Sequence, residues 1–201
     1  MNTTMTTPML TEHHGRTLIQ LARQTIEEHL GITPENPVAP EQLADPALRE
    51  KKGVFVTLNK RKQLRGCIGC LRGTESIVEG VRRHALYAAF NDHRFSPVTR
   101  EEVPDLEIDI SVLTDPQPLA YENPDDLKRK IRPGIDGVIL RDPSGRSATF
   151  LPQVWKQLPT PELFLCHLCR KAGLPDDAWC CRRPEIQVYQ VQYFKEKKLF
   201  P

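Results

Sequence analysis

Several things are missing from this 201-residue sequence, and each absence removes a class of function. No apolar run approaches the roughly 20 residues of a membrane-spanning helix. The opening stretch Met1 to Thr11 is polar and Thr-rich, without the apolar segment of a secretory signal. The expected location is therefore the cytoplasm, with the thiols reduced. Charge of one sign is missing too. Lys+Arg 28 against Asp+Glu 26 leaves a net charge of +2, which predicts neither a nucleic-acid partner nor a membrane surface. There is no glycine-rich phosphate loop, no nucleophile elbow, no paired-carboxylate glycosidase pattern and no internal repeat. The Cys-x-x-x-Cys-x-x-Cys spacing of a radical-SAM cluster is absent as well, so no cofactor is expected on this chain.

What is present is an ordinary globular composition, 39% hydrophobic and 27% charged, long enough to bury a substantial core. Thr11 caps a predicted helix over 12–30, with Leu18, Leu21, Ala22, Thr25, Ile26 and Leu30 inward and Gly31 as its stop. Residues 32–47 read as a proline-rich loop with one helical turn near Leu48. A strand over 54–58, a five-residue turn over 59–63 and a returning strand over 64–71 follow. Ser76 and Glu79 have capping-box spacing and open a helix reaching about Asn91. Residues 92–103 read as irregular.

The clearest strand is 106–113, with Leu106, Ile108, Ile110 and Val112 on one face and Glu107, Asp109 and Ser111 on the other. A short helix near 125–130 is expected next. A hairpin then pairs 138–141 with 147–151 across Asp142-Pro143-Ser144-Gly145. Pro161 sits in the first turn of a helix ending near Gly173. The last strand, 186–194, shifts its apolar phase between Val188 and Tyr189, which predicts a bulge. Mixed helices and strands with an antiparallel hairpin define an α+β fold. Residues 1–11 are expected to be a disordered tail and 12–196 one domain.

The segment most suggestive of a site is Leu64-Arg65-Gly66-Cys67-Ile68-Gly69. In an extended chain Arg65, Cys67 and Gly69 share one face, while Leu64, Ile68 and Cys70 share the apolar other. A guanidinium beside a thiol favours the thiolate, and glycines permit close approach of a ligand or backbone. Equally, Cys67 reads as a small packing residue and the glycines as marks of a bulge.

With these six residues go Asp92 and Arg94-Phe95-Ser96-Pro97-Val98, then the strand from Leu106 to Leu113. Arg132-Pro133-Gly134-Ile135-Asp136-Gly137, Leu151-Pro152-Gln153-Val154-Trp155 and Lys171-Ala172-Gly173 complete the series. In this order, over about residues 12–195, the chain resembles the AMMECR-one domain family, whose bacterial and archaeal members are called protein A of the AmmeMemoRadiSam group. The resemblance implies a two-lobed α+β domain, mainly antiparallel sheet flanked by helices, with a cleft between a large and a small lobe. It also implies Memo-like and radical-SAM partner proteins and a functional role for the hexapeptide, without supplying a reaction. Position 70 is commonly Thr in relatives, and Cys166, Cys169, Cys180 and Cys181 are not hallmark positions.

The expected site residues follow from both readings. Cys67 is the candidate nucleophile or acid/base, with Glu107 as an orienting carboxylate. His84, or His93 in the loop before Arg94, is a weaker candidate for a base, and a partly buried, hydrogen-bonded role suits His84 as well. Arg65, Gly66, Gly69, Arg94, Phe95 and Gln153 are candidates to line a substrate site for a small molecule or peptide. One of Glu107 and Asp109 is expected to pair with Arg65 or Arg94, because an inward carboxylate needs a partner. The runs Lys60-Arg61-Lys62 and Lys195-Glu196-Lys197-Lys198 read as solvated turns. The two Cys-x-x-Cys pairs do not read as a zinc site: Cys67 and Cys70, three apart in a strand, face opposite ways, and Cys166 and Cys169 share a helix face with Leu165, Leu168 and Ala172, which core packing explains. The alternatives to a thiol-dependent step are a non-catalytic peptide- or partner-binding module and, third, metal or redox sensing by the other cysteines.

Overall fold

Local signals place the first helix. Thr11 and His14 form a reciprocal cap, Thr11 Oγ1 accepting from the His14 N–H, and helix α1 runs Glu12–His29. Gly31 at φ 69° then leaves the helix in the left-handed conformation that the turn requires. The computed structural model describes residues 10–196. Leu10 and Thr11, placed at the inner end of the expected tail, are among these described residues. Leu10 is buried, and its backbone N–H and C=O bond the Gln192 side chain; residues 1–9 lie outside the described residues.

The chain divides into two compact units, residues 10–113 with 192–196, and Thr114–Val191. In the first unit, β1 (Gly53–Lys60) and β2 (Gln63–Gly69) form a hairpin. Its turn is two residues long, not five, with Arg61 at φ 52° and Lys62 at φ 63°. Positive φ at both central positions matches the right-handed twist of the flanking strands, so pairing extends to Lys60 and Gln63. Helix α2 (Pro46–Arg49) precedes the hairpin, and α3 (Ile77–Leu86) follows it, capped by Ser76 and Glu79. The helix continues as a π-helical turn, Tyr87–Asn91. A 3-10 turn, Arg100–Asp105, leads into β3 (Leu106–Leu113).

The sheet order of this unit is β2-β1-β3-β8, where β8 is Val191–Lys195, so β2 is an edge. Val54, Val56 and Leu58 of β1 and Leu106, Ile108 and Ile110 of β3 meet Leu18, Leu21 and Ile26 of α1 and Val81 and Ala85 of α3 in one core. Strand alternation leaves the opposite sheet face to Phe55, Thr57 and Asn59, Cys67 and Gly69, and Glu107, Asp109 and Ser111.

The second unit has a sheet of order β4-β7-β5-β6, all antiparallel. Its strands are β4 (Gln117–Pro118), β5 (Gly137–Arg141), β6 (Ser147–Phe150) and β7 (Glu185–Tyr189). Helices α4 (Pro124–Lys130), α5 (Pro161–Lys171) and α6 (Ala178–Cys181) complete it. Leu127, Val138, Leu140, Phe164, Leu168 and Ile186 form its core, with Trp155 stacked on Phe164 at 3.8 Å. The expected last strand is in fact two. The phase shift near Tyr189 is not a bulge: β7 belongs to this sheet and β8 to the other. Among the described residues no helix is long and apolar enough to cross a membrane.

Candidate functional site

The hexapeptide lies on the edge strand β2, and its geometry begins with a bulge. Register runs Leu58↔Gly66 and then Asn59↔Leu64, so Arg65 is the extra residue, outside the pairing. A bulge re-aims the side chain it carries. Arg65 therefore departs from the simple alternation with Cys67 and Gly69 that the sequence suggested. Its Nε and Nη2 donate to Glu102 at 3.2 and 3.0 Å, and Nη2 also reaches the Pro97 carbonyl at 3.3 Å. Nη1 is buried without a hydrogen-bond partner, and the guanidinium lies 6.0 Å from the Phe95 ring centroid.

Glu102 is the hub of this corner. It accepts from Lys60 Nζ at 2.8 Å and from the Thr99 N–H at 3.1 Å besides the Arg65 fork. The Arg65 hydrogen bonds chiefly hold its carboxyl down at about 2, against the opposing effect of burial. The expected partner, Glu107, does not occupy this place. It lies near the start of β3 opposite Asn59, whereas the 3-10 turn Arg100–Asp105 carries Glu102 to the bulge. Lys60, read as part of a solvated turn, is engaged here as well. A signal for Glu102 existed in the Thr99-x-x-Glu102 capping box, within a stretch taken as irregular.

Cys67 is held by its backbone. As β2 is an edge, the strand's outward N–H and C=O need partners from elsewhere. Asp92 Oδ2 accepts from the Cys67 N–H at 2.9 Å, and Arg94 Nη2 donates to the Cys67 carbonyl at 3.2 Å. Asp92 and Arg94 in turn grip each other, with Nε and Nη2 at 2.9 and 2.6 Å from the two carboxylate oxygens. That fork, first, and the Cys67 and Arg94 N–H groups keep the buried Asp92 carboxyl far below the usual carboxylate range. Arg94 also lies over Phe95, at 5.4 Å.

The two glycines have packing reasons. A Cβ on Gly66 would stand 2.1 Å from the Ala88 carbonyl oxygen of the π-helical turn. One on Gly69 would meet Phe55 and the Val54 carbonyl oxygen at 2.3 Å. Ile68 packs against the core.

What remains is the Cys67 side chain. Its Sγ lies 3.2 Å from Thr57 Oγ1, directly across the strand pair. Thr57 in turn pairs with Asp109 of β3, so Cys67, Thr57 and Asp109 form one row across three strands on the face away from the helices. Asp109 accepts from Asn59 Nδ2 at 3.2 Å, and burial raises its carboxyl above the ordinary value. All three side chains are half-buried. Thr57 gave no sequence signal as a site residue, because its place depends on register.

His84 is buried rather than partly buried, and neither ring nitrogen has a hydrogen-bond partner among the described residues, so it is neither the hydrogen-bonded histidine nor a base bound to Cys67. Burial lowers its basicity. His93 is exposed. Gln153 is exposed on the 3-10 turn Pro152–Lys156 of the second unit. All six cysteines are free, and among the described residues no three His, Cys, Asp or Glu side chains stand together as metal ligands.

Comparison with known proteins extends this over nearly the whole chain. The family model described as AMMECR1 matches residues 19–194. A protein of Methanothermobacter thermautotrophicus is 43% identical over 190 residues, covering 93% of this chain and 96% of that one. A protein of Thermofilum pendens is 38% identical, covering 93% and 92%. The crystal structure of the uncharacterized protein PH0010 from Pyrococcus horikoshii superposes with a TM-score of 0.80 at 36% identity, covering 94% of each chain.

Proposed function

The chain belongs to the AMMECR1 family, and from that premise we propose that it binds a small molecule or peptide over Cys67, Thr57 and Asp109. A thiol-dependent step at Cys67 serves a modification carried out with Memo-like and radical-SAM partners in the cytoplasm. One observation carries the reading. Arg65, Gly66, Ile68 and Gly69 are each accounted for by an ion pair or a packing contact, and the Cys67 backbone by the Asp92–Arg94 clamp. Apart from the exposed Leu64, the Cys67 thiol is the part of the hexapeptide that serves none of these, and it lies on a polar face beside a hydroxyl. In this reading Arg65 and Arg94 are positioning residues that fix the strand carrying the thiol. Phe95, between them, belongs to the same support.

A second reading, a non-catalytic binding module, is favoured by a separate fact. Both guanidiniums are already neutralised by Glu102 and Asp92, and the Cys67 Sγ is engaged by the Thr57 hydroxyl. Alkylation of the folded protein with iodoacetamide at pH 7, located by mass spectrometry, separates the two. A working thiol labels faster at the half-buried Cys67 than at the exposed Cys181. Labelling slower than Cys181 sinks the thiol step and leaves the binding module.

A further inference from the structure

A second thiol arrangement lies in the other unit, and the family motif does not touch it. Cys180 and Cys181 end the short helix α6, their sulfurs 3.7 Å apart. Cys180 Sγ donates to the Asp177 carbonyl at 3.0 Å, and Cys181 Sγ lies 3.7 Å from Asp177 Oδ2. Both sulfurs therefore turn back toward one residue, Asp177, on the same side of the helix. Cys181 is exposed and Cys180 half-buried, so the pair is open to small reagents.

The covalent geometry restricts what this pair can do. Neighbouring α-carbons across a trans peptide are about 3.8 Å apart. Ordinary disulfides span about 4.4–6.8 Å between α-carbons. Direct closure of adjacent cysteines thus requires backbone distortion, and the pair resists becoming a disulfide. An atom inserted between the sulfurs avoids that distortion, because two bonds then share a span already set by the fold.

The described surroundings do not supply the ligand set of a tetrahedral structural metal. No three metal-ligating side chains stand together among the described residues, whereas structural zinc requires four. Cys169, the nearby buried thiol, is pushed up to about 11 by burial and keeps its proton. Cys166 is half-buried against the core of this unit. Soft thiolate ligands select soft ions.

We infer that Cys180 and Cys181 form a two-sulfur chelating site for soft thiophiles, of the class of monosubstituted trivalent arsenicals. With an arsenoxide the step balances without redox change. Two As–S bonds form, the As–O bonds break, and the oxygen leaves as water with the two thiol protons. The Cys181 thiol holds its proton more tightly because of its hydrogen bond to Cys180 and the nearby Asp177 carboxylate, and in this step that proton leaves on the arsenoxide oxygen as water.

The test uses the full chain, freshly reduced and freed of reductant, with phenylarsine oxide as the probe and intact-mass spectrometry as the readout. The expected result is one arsenical per chain in the wild type and in Cys67→Ser and Cys166→Ser, removed by 2,3-dimercaptopropanol. Cys180→Ser and Cys181→Ser each lose the adduct while keeping the wild-type circular dichroism spectrum. Retention of the adduct by Cys181→Ser, or loss in Cys166→Ser, overturns the two-sulfur site. So does a folded wild type that takes up no arsenical. Cys67 alkylation is read separately, so failure here leaves the proposed function standing, and the reverse holds as well.

Discussion

Replacing Glu102 by Gln should destabilise the first unit strongly at neutral pH and much less in acid. Glu102 is only 18% exposed, and Arg65, 12% exposed, depends on it for a counter-charge. Its carboxyl moves from 4.5 to about 2 on folding. That difference corresponds to about 3 kcal/mol at 1.36 kcal/mol per unit, similar to the cost of removing one partner of a buried ion pair, about 3–5 kcal/mol. Because the folded value is depressed, this stability is fully present above about pH 4.5 and is lost as the pH falls toward 2. Both tryptophans, Trp155 and Trp179, lie in Thr114–Val191, so their fluorescence reports the other unit. Amide hydrogen exchange on peptides covering Gln63–Gly69 reports this one. About 3 kcal/mol makes those amides exchange about a hundredfold faster in Glu102→Gln than in wild type at pH 7, narrowing to about tenfold at pH 3. A ratio below about threefold at pH 7, or the same ratio at both pH values, would refute Glu102 as the hub that holds the bulge.

Two further outcomes follow from groups whose charged forms burial disfavours, the His84 imidazole and the Asp109 carboxyl. His84 is buried with both nitrogens unpartnered and its basicity lowered by burial, then by the Arg83 charge. The unfolded chain therefore takes up a proton near 6.5 that the fold refuses, and urea midpoints should fall between pH 7.5 and 5.5. His84→Leu should flatten that slope, and an unchanged slope would remove His84 from the account. Asp109 has the opposite standing to Glu102, its carboxyl raised by burial, so its charge opposes folding above the raised value. Asp109→Asn should melt higher than wild type at pH 7, with the gain gone below about pH 3.8, where both chain states are protonated. A lower melting temperature at pH 7 would mean that the Asn59 hydrogen bond outweighs the desolvation.

Legibility in the sequence followed the range of the interaction. Features set by a few consecutive residues were read nearly to the residue: the Thr11 and Ser76 caps, the alternation of 106–113, and the hairpin across Asp142–Gly145. What failed depended on pairing between distant segments. The phase shift at Tyr189 looks the same in a string whether the strand bulges or passes to another sheet. Glu107 and Glu102 carry the same charge, and the capping-box spacing of Thr99 and Glu102 does not say which guanidinium Glu102 meets. Only the bulge at Arg65 and the turn after Thr99 decide which of them meets the guanidinium.

The same distinction changes how the hexapeptide is understood. In the string, an arginine, two glycines and a cysteine together suggest a set of ligand-contacting residues. In the fold, the arginine is bound to Glu102, and the glycines accommodate the Ala88 carbonyl and the Phe55 ring. Most of the motif is thus spent on a strand held at a bulge and a clamped edge. A motif of this kind requires its neighbours as much as its own letters, which is why Asp92 and Arg94 stand with it: without their pair the Cys67 N–H and C=O have no partner among the described side chains. Rigid support is also what a precise thiol position needs, and about 1 Å of misplacement is enough to cost a reacting group most of its advantage. The scaffolding reading and the functional reading of the motif therefore do not compete. The first explains how one side chain, Cys67, is presented beside Thr57, in one row with Asp109, on the sheet face away from the helices.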